Sequence, residues 1–270
     1  MKSVNEMIGV SSAAPKPWFE PDWPSAPNVG ALLTTRRGGF SGGACASFNL
    51  SLDVGDAEGC VRQNRLMLEK KTGAPVAWLK QTHGTRCVAA ADALAALENG
   101  EPAAADACFD DARANDRPVV CAVMTADCLP VLMRSDDGAW VGAAHAGWRG
   151  LAAGVLGSLA SSFKGDRSKL CAYLGPSISR DSFEVGQDVL EGFGGPSDKE
   201  AAQCFKPLPE DGKYLADLPG LARLALSRLG VRRVFGGTEC TVIDRDRYYS
   251  YRRDGGVTGR QASLVWIRRR

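Results

Sequence analysis

Residues 123–150 read VMTADCLPVLMRSDDGAWVGAAHAGWRG, with two apolar runs, 130–133 and 139–144, on either side of Ser135-Asp136-Asp137-Gly138. Apolar runs joined by an Asp-Gly turn predict an antiparallel hairpin. If the loop is the four residues 135–138, Arg134 pairs with Ala139, Val131 with Gly142 and Cys128 with His145. If it is only Asp137 and Gly138, the register moves by two residues, and Cys128 and His145 become diagonal neighbours on one face. Directly opposed Cβ atoms lie about 5 Å apart and diagonal ones roughly 7 Å. In either register a thiolate and an imidazole meet at the open end of the hairpin, close enough to share a metal ion or a proton.

The chain contains only two histidines, His145 and His83, and the second sits in the turn-like run Lys80-Gln81-Thr82-His83-Gly84. Two histidines in glycine-flanked motifs, with Cys128 between them in sequence, point to a functional cluster rather than to scattered packing residues. One thiolate and two imidazoles suit zinc, and three protein ligands leave a fourth position open, as catalytic zinc sites do. The same atoms without metal could form a cysteine nucleophile activated by His145 or His83. Multicopper redox chemistry needs many more imidazoles than two and shows no blue-copper spacing here, so copper is not expected.

A length of 270 residues allows a substantial core, and 44% apolar with 24% charged residues is ordinary for a globular protein. A net charge of +2 gives no argument for a nucleic-acid footprint, and the terminal Arg268-Arg269-Arg270 reads as a solvated tail. No apolar run is long enough to span a membrane. The first 24 residues lack a continuous apolar stretch, so no signal peptide is expected. Nine cysteines, odd in number and without a CxxC pair, then predict reduced thiols in the cytoplasm.

Residues 1–29 read as an irregular, proline-rich lead-in, and 30–270 as one domain of strands and helices in mixed order. Residues 30–35 are a short apolar run, strands are expected at 76–79, 119–124, 170–174, 231–236 and 262–267, and the Ala-rich run 87–97 reads as strand then helix. Helices are expected at 57–71, 151–163, 187–193 and 218–229. Residues 98–117 read as a connector and 194–213 as a polar loop. The run Thr35-Arg36-Arg37-Gly38-Gly39 is either a plain Gly-Gly turn or a loop facing an anion. Arg149 follows His145 in a strand, glycine turn, helix start, a geometry that aims backbone N–H groups at an anion, or it is simply solvated. Asp127 alternates to the face opposite Cys128.

The runs KQTHG, MTADCLPVL, AAHAGWRGLAAGVL, LGPSI, FEVG, FGG, SYRRD and TGR resemble, from about Thr34 onward, the laccase-domain family, also described as polyphenol oxidases and peptidoglycan-editing factors. The resemblance implies an α+β fold with mixed sheets flanked by helices, shared with toxin-like cysteine hydrolases. It implies a zinc-dependent purine nucleoside phosphorylase with adenosine deaminase activity, a purine nucleoside and phosphate as partners, and His83, Cys128 and His145 as both metal and catalytic residues. The Arg36 loop and Asn49 match motifs facing the same cavity, and Arg36, Asn49, Arg149 and Arg252 are the expected substrate and phosphate contacts. Phe183 stands where the family often has Tyr. No Glu lies two residues after either histidine, as it does in zinc deaminases, so the proton carrier is unassigned. The alternative is a Cys/His hydrolase editing a peptidoglycan precursor. Neither nucleic acid nor membrane is an expected partner, and a monomer is the expected state.

Overall fold

Leu129–Ser135 and Trp140–Ala146 are buried along their whole length, because the hairpin they form is covered on both faces. Val131 and Met133 enter one core with the helices Val155–Ser162 and Leu218–Arg228, whereas Leu132 between them enters another. Two covered faces are why this run is continuously apolar rather than alternating. The computed structural model describes residues 17–24 and 26–269.

The hairpin is the centre of a six-stranded sheet in the order Arg233–Gly236, Leu170–Leu174, Leu129–Ser135, Trp140–Ala146, Ala107–Asp111, Cys87–Ala89. Its two outermost pairs are parallel and the rest antiparallel. A five-stranded sheet runs Trp18–Phe19, Val29–Thr34, Gln261–Ile267, Val120–Thr125, Val76–Ala77. Leu33, Val123 and Val265 of this sheet meet Leu132, Val141 and Ala143 of the first in a shared core. The outer face of the five-stranded sheet is covered by Leu68 of the helix Glu58–Thr72, with Phe48 and Leu50. The result is an α+β domain in which helices flank two stacked mixed sheets. A small antiparallel sheet of Glu184–Gly186, Lys213–Ala216 and Phe205–Pro207 lies beside it.

Several expectations change. The 98–117 connector contains the interior strand Ala107–Asp111. Its Asp110 is buried and is neutralised by Arg269, with Nη1 to Oδ2 at 3.0 Å, so the supposed solvated tail is anchored in the core. A buried carboxylate paired with a cation 159 positions away leaves no local signature. The 194–213 loop contains the short helix Lys199–Ala202 and the strand Phe205–Pro207. The 151–163 helix is two, Trp148–Ala153 and Val155–Ser162, divided by Gly154 at φ 99°. In the lead-in, Trp18–Phe19 pairs with Val29–Thr34 as an edge strand, and buried Arg134 donates to the Pro24 carbonyl. The signal-peptide reading falls mostly on residues 1–16, outside the described residues.

Candidate metal and catalytic centre

The chain steps from one large sheet to the other between Val120–Thr125 and Leu129–Ser135, so Cys128 lies on the seam between them. The step is short and is made possible by Asp127, a non-glycine residue at φ 91°. Its carboxylate accepts from Thr241 Oγ1 at 2.6 Å, Ser250 Oγ at 3.1 Å and the Arg252 backbone at 2.7 Å. Those three bonds hold a conformation that costs on the order of 1–3 kcal/mol.

The hairpin adopts the tighter register, with Val131 opposite Ala144 and Pro130 opposite His145. The turn selects it. Asp137 Oδ1 accepts from Ser135 Oγ at 2.6 Å and the Ala139 N–H at 3.0 Å, while the Trp140 N–H donates back to Ser135 Oγ. Cys128 and His145 are therefore diagonal. The position facing Cys128 is Gly147, where a Cβ would come 3.0 Å from Cys128 Sγ and 3.1 Å from His83 Cδ2. A glycine here leaves room for an ion between the ligands.

His83 arrives from the other side on a turn held by one carboxylate. Asp106, fully buried, accepts from the backbone N–H groups of Thr82, His83 and Gly84 at 3.1, 2.9 and 2.7 Å and from Thr82 Oγ1 at 2.9 Å. Its Oδ1 also lies 2.8 Å from His145 Nδ1. A carboxylate there fixes Nδ1 as a donor and orients the ring, so that Nε2 would be the ligand atom once a metal displaces its proton, the arrangement metal-binding histidines use. Asp106 thus positions both imidazoles, and His83 keeps φ 60° under that restraint.

The three donor atoms of His83, Cys128 and His145 lie within 4.8 Å of one another, with Cys128 Sγ 3.8 Å from His83 Nε2. Zinc–sulfur and zinc–nitrogen bonds of about 2.3 and 2.0 Å at a tetrahedral angle put S and N roughly 3.5 Å apart. The set could hold a metal ion. Burial pushes the Cys128 thiol up, but the His145 and His83 imidazoles outweigh it and hold the thiol at about 6. Burial works against the His145 cation, yet the Cys128 charge and the Asp106 bond raise it to about 9. For Asp106, burial is outweighed by the bonds from His145, Gly84 and Thr82, which hold the carboxyl well below the usual range. Cys128 is a thiolate at neutral pH in this setting, ready as ligand or nucleophile.

A cavity of about 610 Å³ opens over the cluster and is also lined by Arg149, Arg252 and Arg260. A family model described as multi-copper polyphenol oxidoreductase laccase matches residues 30–268. A Haemophilus influenzae protein named purine nucleoside phosphorylase is 41% identical over 252 residues, which cover 92% of this chain and 98% of that one. The chain belongs to the laccase-domain family. The Escherichia coli protein named purine nucleoside phosphorylase YfiH is 42% identical over 249 residues, 92% of this laccase-domain chain and 97% of its own length. Among solved structures, Neisseria meningitidis NMB0706, assigned to DUF152, superposes with a TM-score of 0.86 at 51% identity, covering 93% of this chain and 99% of that one. YlmD from Geobacillus stearothermophilus gives a TM-score of 0.80 at 27% identity over 96% of this chain and 98% of that one.

The laccase-domain fold gathers His83, Cys128, His145, Arg149 and Arg252 around one cavity. Arg149 is exposed and makes no side-chain hydrogen bond or ion pair among the described residues, its guanidinium 4.3 Å over the Trp148 ring. Arg252 donates to the Glu184 carbonyl at 3.0 Å and the Ser182 carbonyl at 3.4 Å. Arg36 is not brought there. It lines a separate cavity and donates to the carbonyls of Ala46 at 3.0 Å and Arg245 at 3.3 Å. Asn49 is buried behind the cavity. Its Oδ1 accepts from the Ser51 and Arg260 backbones and its Nδ2 donates to Asp56, so it positions two lining residues without lining the cavity itself.

Three contributors escaped the sequence reading. Asp106 lies in Ala105-Asp106-Ala107, and a single acid between alanines carries no motif. Arg260 was visible only as the last residue of the TGR run, with no role attached to it. Gly147 offered the one usable signal, since a glycine directly opposite a ligand in the hairpin register marks a place where a side chain does not fit. Its φ of −61° and ψ of 156° suit any residue. Gly147→Ala is therefore expected to fold normally while losing about 10–100-fold in kcat/KM as the methyl group wedges the ligands apart. Circular dichroism with steady-state kinetics checks this, and unchanged kinetics would mean that the cluster needs no such space.

Proposed function

We propose that the protein is a zinc-dependent purine nucleoside phosphorylase, cleaving a purine nucleoside with phosphate to the base and ribose 1-phosphate. The observation that carries the reading is the joining of a His-Cys-His donor set and three arginines from separate segments in one cavity. A volume of about 610 Å³ falls within the usual range for small-molecule sites. The relatives' names support the same reaction class.

The sugar–base bond breaks with cationic character developing on the sugar, as in glycoside cleavage. The chain's task is then to hold phosphate against the anomeric carbon and to accommodate charge on the departing purine. Arg149 is the free cation for the first task, with Arg252 and Arg260 completing a positive wall. Leu79, Met124 and Ile178 line the same cavity and offer apolar surface to a flat base. Zinc held by His83, Cys128 and His145 would supply a Lewis acid for charge on the leaving group. Zinc is favoured over copper by the donor set and by the presence of only two histidines in the chain. Deamination needs a proton carrier beside activated water. The carboxylates of Asp106 and Asp127 are already filled by hydrogen-bond donors, so neither is free for that role.

One observation favours a second reading. Cys128, His145 and Asp106 also form a thiol-imidazole-carboxylate array, which would serve a cysteine hydrolase acting on a peptidoglycan precursor. Mass spectrometry of adenosine and inosine incubations separates the two. Base and ribose 1-phosphate formed only with phosphate, by protein carrying about one zinc per chain, is the expected result. Metal-free protein that cleaves an amide or ester and leaves nucleosides intact would replace the phosphorylase reading with the hydrolase.

Arg149→Ala tests the anion wall. A hydrogen bond to a charged group is worth about 1.5–3 kcal/mol, so the phosphate KM should rise about tenfold or more. The nucleoside KM and the melting temperature should stay nearly constant, because the exposed side chain has no hydrogen bond or ion pair among the described residues to lose, only its stacking on Trp148. Equal effects on both substrates would remove Arg149 from the phosphate site.

A further inference from the structure

The arginine pair at 36 and 37, singled out in the sequence as part of a possible anion-facing loop, has no part in the cavity over the metal cluster. It lines a second cavity, of about 720 Å³, in which four arginines, Arg36, Arg37, Arg245 and Arg253, meet two aspartates, Asp246 and Asp254. Arg253 is satisfied, bound to Asp254 by Nε at 2.7 Å and Nη2 at 2.8 Å and to the carbonyls of Thr241 and Tyr248. Arg37 meets Asp246 at 3.5 Å. Arg36 and Arg245 are left with no carboxylate partner among the described residues, an excess of two positive charges in one concavity.

The donors there are held in advance. Arg36 is fixed by the Ala46 and Arg245 carbonyls and lies 4.8 Å over the Tyr249 ring, while its Nη2 has no acceptor among the described residues. The Gly38 N–H, at φ 79°, and the exposed Arg245 guanidinium likewise have none. Gly39 makes the tight loop possible, since a Cβ there would come 2.4 Å from the Ser47 carbonyl oxygen. An immobilised guanidinium, a free one and an unpaired backbone N–H form a set that recognises a tetrahedral anion. The concavity is open to solvent and wide enough to admit an organic phosphate as well as the bare ion. The chain's net charge of only +2 gives no support to a track for a polyanion.

We infer that this second cavity binds a phosphate-bearing small molecule through Arg36, Arg245 and the Gly38 N–H, separately from the cavity over His83, Cys128 and His145. Isothermal titration calorimetry with a nucleoside 5′-monophosphate and with inorganic phosphate tests it, on the wild-type protein and on Arg245→Ala and Arg149→Ala. Arg245 is exposed and its side chain has no partner among the described residues, so its removal is expected to leave the fold and the turnover of nucleoside intact. Monophosphate is expected to bind the wild type and Arg149→Ala alike and to bind Arg245→Ala about tenfold or more weakly. On the Arg149→Ala background, inorganic phosphate binding as tightly as the ester would identify the free ion as the ligand, and weaker binding would identify the organic phosphate. Binding abolished by Arg149→Ala and untouched by Arg245→Ala would overturn the inference, since all phosphate would then be seated in the cavity over the metal cluster. No binding to the wild type would overturn it equally.

Discussion

Cys128→Ala and His145→Ala are each expected to abolish nucleoside turnover, and the double variant to be scarcely slower than either single one. The two side chains sit diagonally across one hairpin and belong to a single donor set within 4.8 Å. Removing either leaves two ligands, too few to define a catalytic metal site, so the second loss has little left to destroy. Groups acting as a unit show this non-additivity, whereas independent contributions multiply. Neither variant should unfold the protein. Cys128 precedes its strand and His145 is one residue from the end of its own, while the core between the sheets is supplied by Leu132, Val141 and Ala143. A double-mutant cycle in kcat/KM with parallel melting curves is the measurement. Losses that simply multiply would sink the shared site, and collapse of the fold in both single variants would recast the cluster as a structural metal site.

Asp106→Asn should combine a catalytic and a stability loss, because this carboxylate is the common anchor of both histidines. It accepts three backbone N–H groups and one hydroxyl while orienting His145 Nδ1. An amide in its place turns one accepting oxygen into a donor that faces other donors. Leaving buried groups unsatisfied costs about 1–3 kcal/mol each, and more where a charge was involved. Outer partners of metal-bound histidines are worth about 10–100-fold in metal affinity or activity. The expected variant is folded, melts several degrees lower, holds a metal ion added to the His-Cys-His set more weakly and turns over at least about tenfold more slowly. The stability difference should depend on pH in a defined sense. The folded pKa of Asp106 lies below the unfolded value, so its contribution is fully present above about 4 and is lost as pH falls through that region. The gap in melting temperature between wild type and Asp106→Asn should therefore be widest near neutral pH and narrow in acid. A gap that persists unchanged at low pH would mean that packing, not the charge, is what the variant loses.

The local periodicity of residues 123–150 was enough to determine that a hairpin forms and that Cys128 and His145 share its face and its end. Side-chain direction in a strand repeats every two residues whatever surrounds it. Either loop length preserves that parity, which is why the pairing of chemistry was legible while the register was not. The register was decided by Ser135 and Asp137, whose side chains close the turn on Trp140 and Ala139. Most of the strands and helices were likewise readable from apolar runs, but Ala107–Asp111 was not. Its buried Asp110 looks like a loop residue until Arg269 arrives from the far end of the chain.

The remainder of the site belongs to the tertiary structure for the same reason. Asp106 is an unremarkable acid between two alanines until the fold places the 82–84 turn and His145 against it. Arg36 and Arg149 looked equivalent as cations beside glycine turns, yet the fold sends one to a separate cavity and the other to the cavity over His83, Cys128 and His145. Spacing along a chain determines what an element presents on each face. Which distant charges those faces meet depends on how the two sheets stack, and no short-range pattern encodes that.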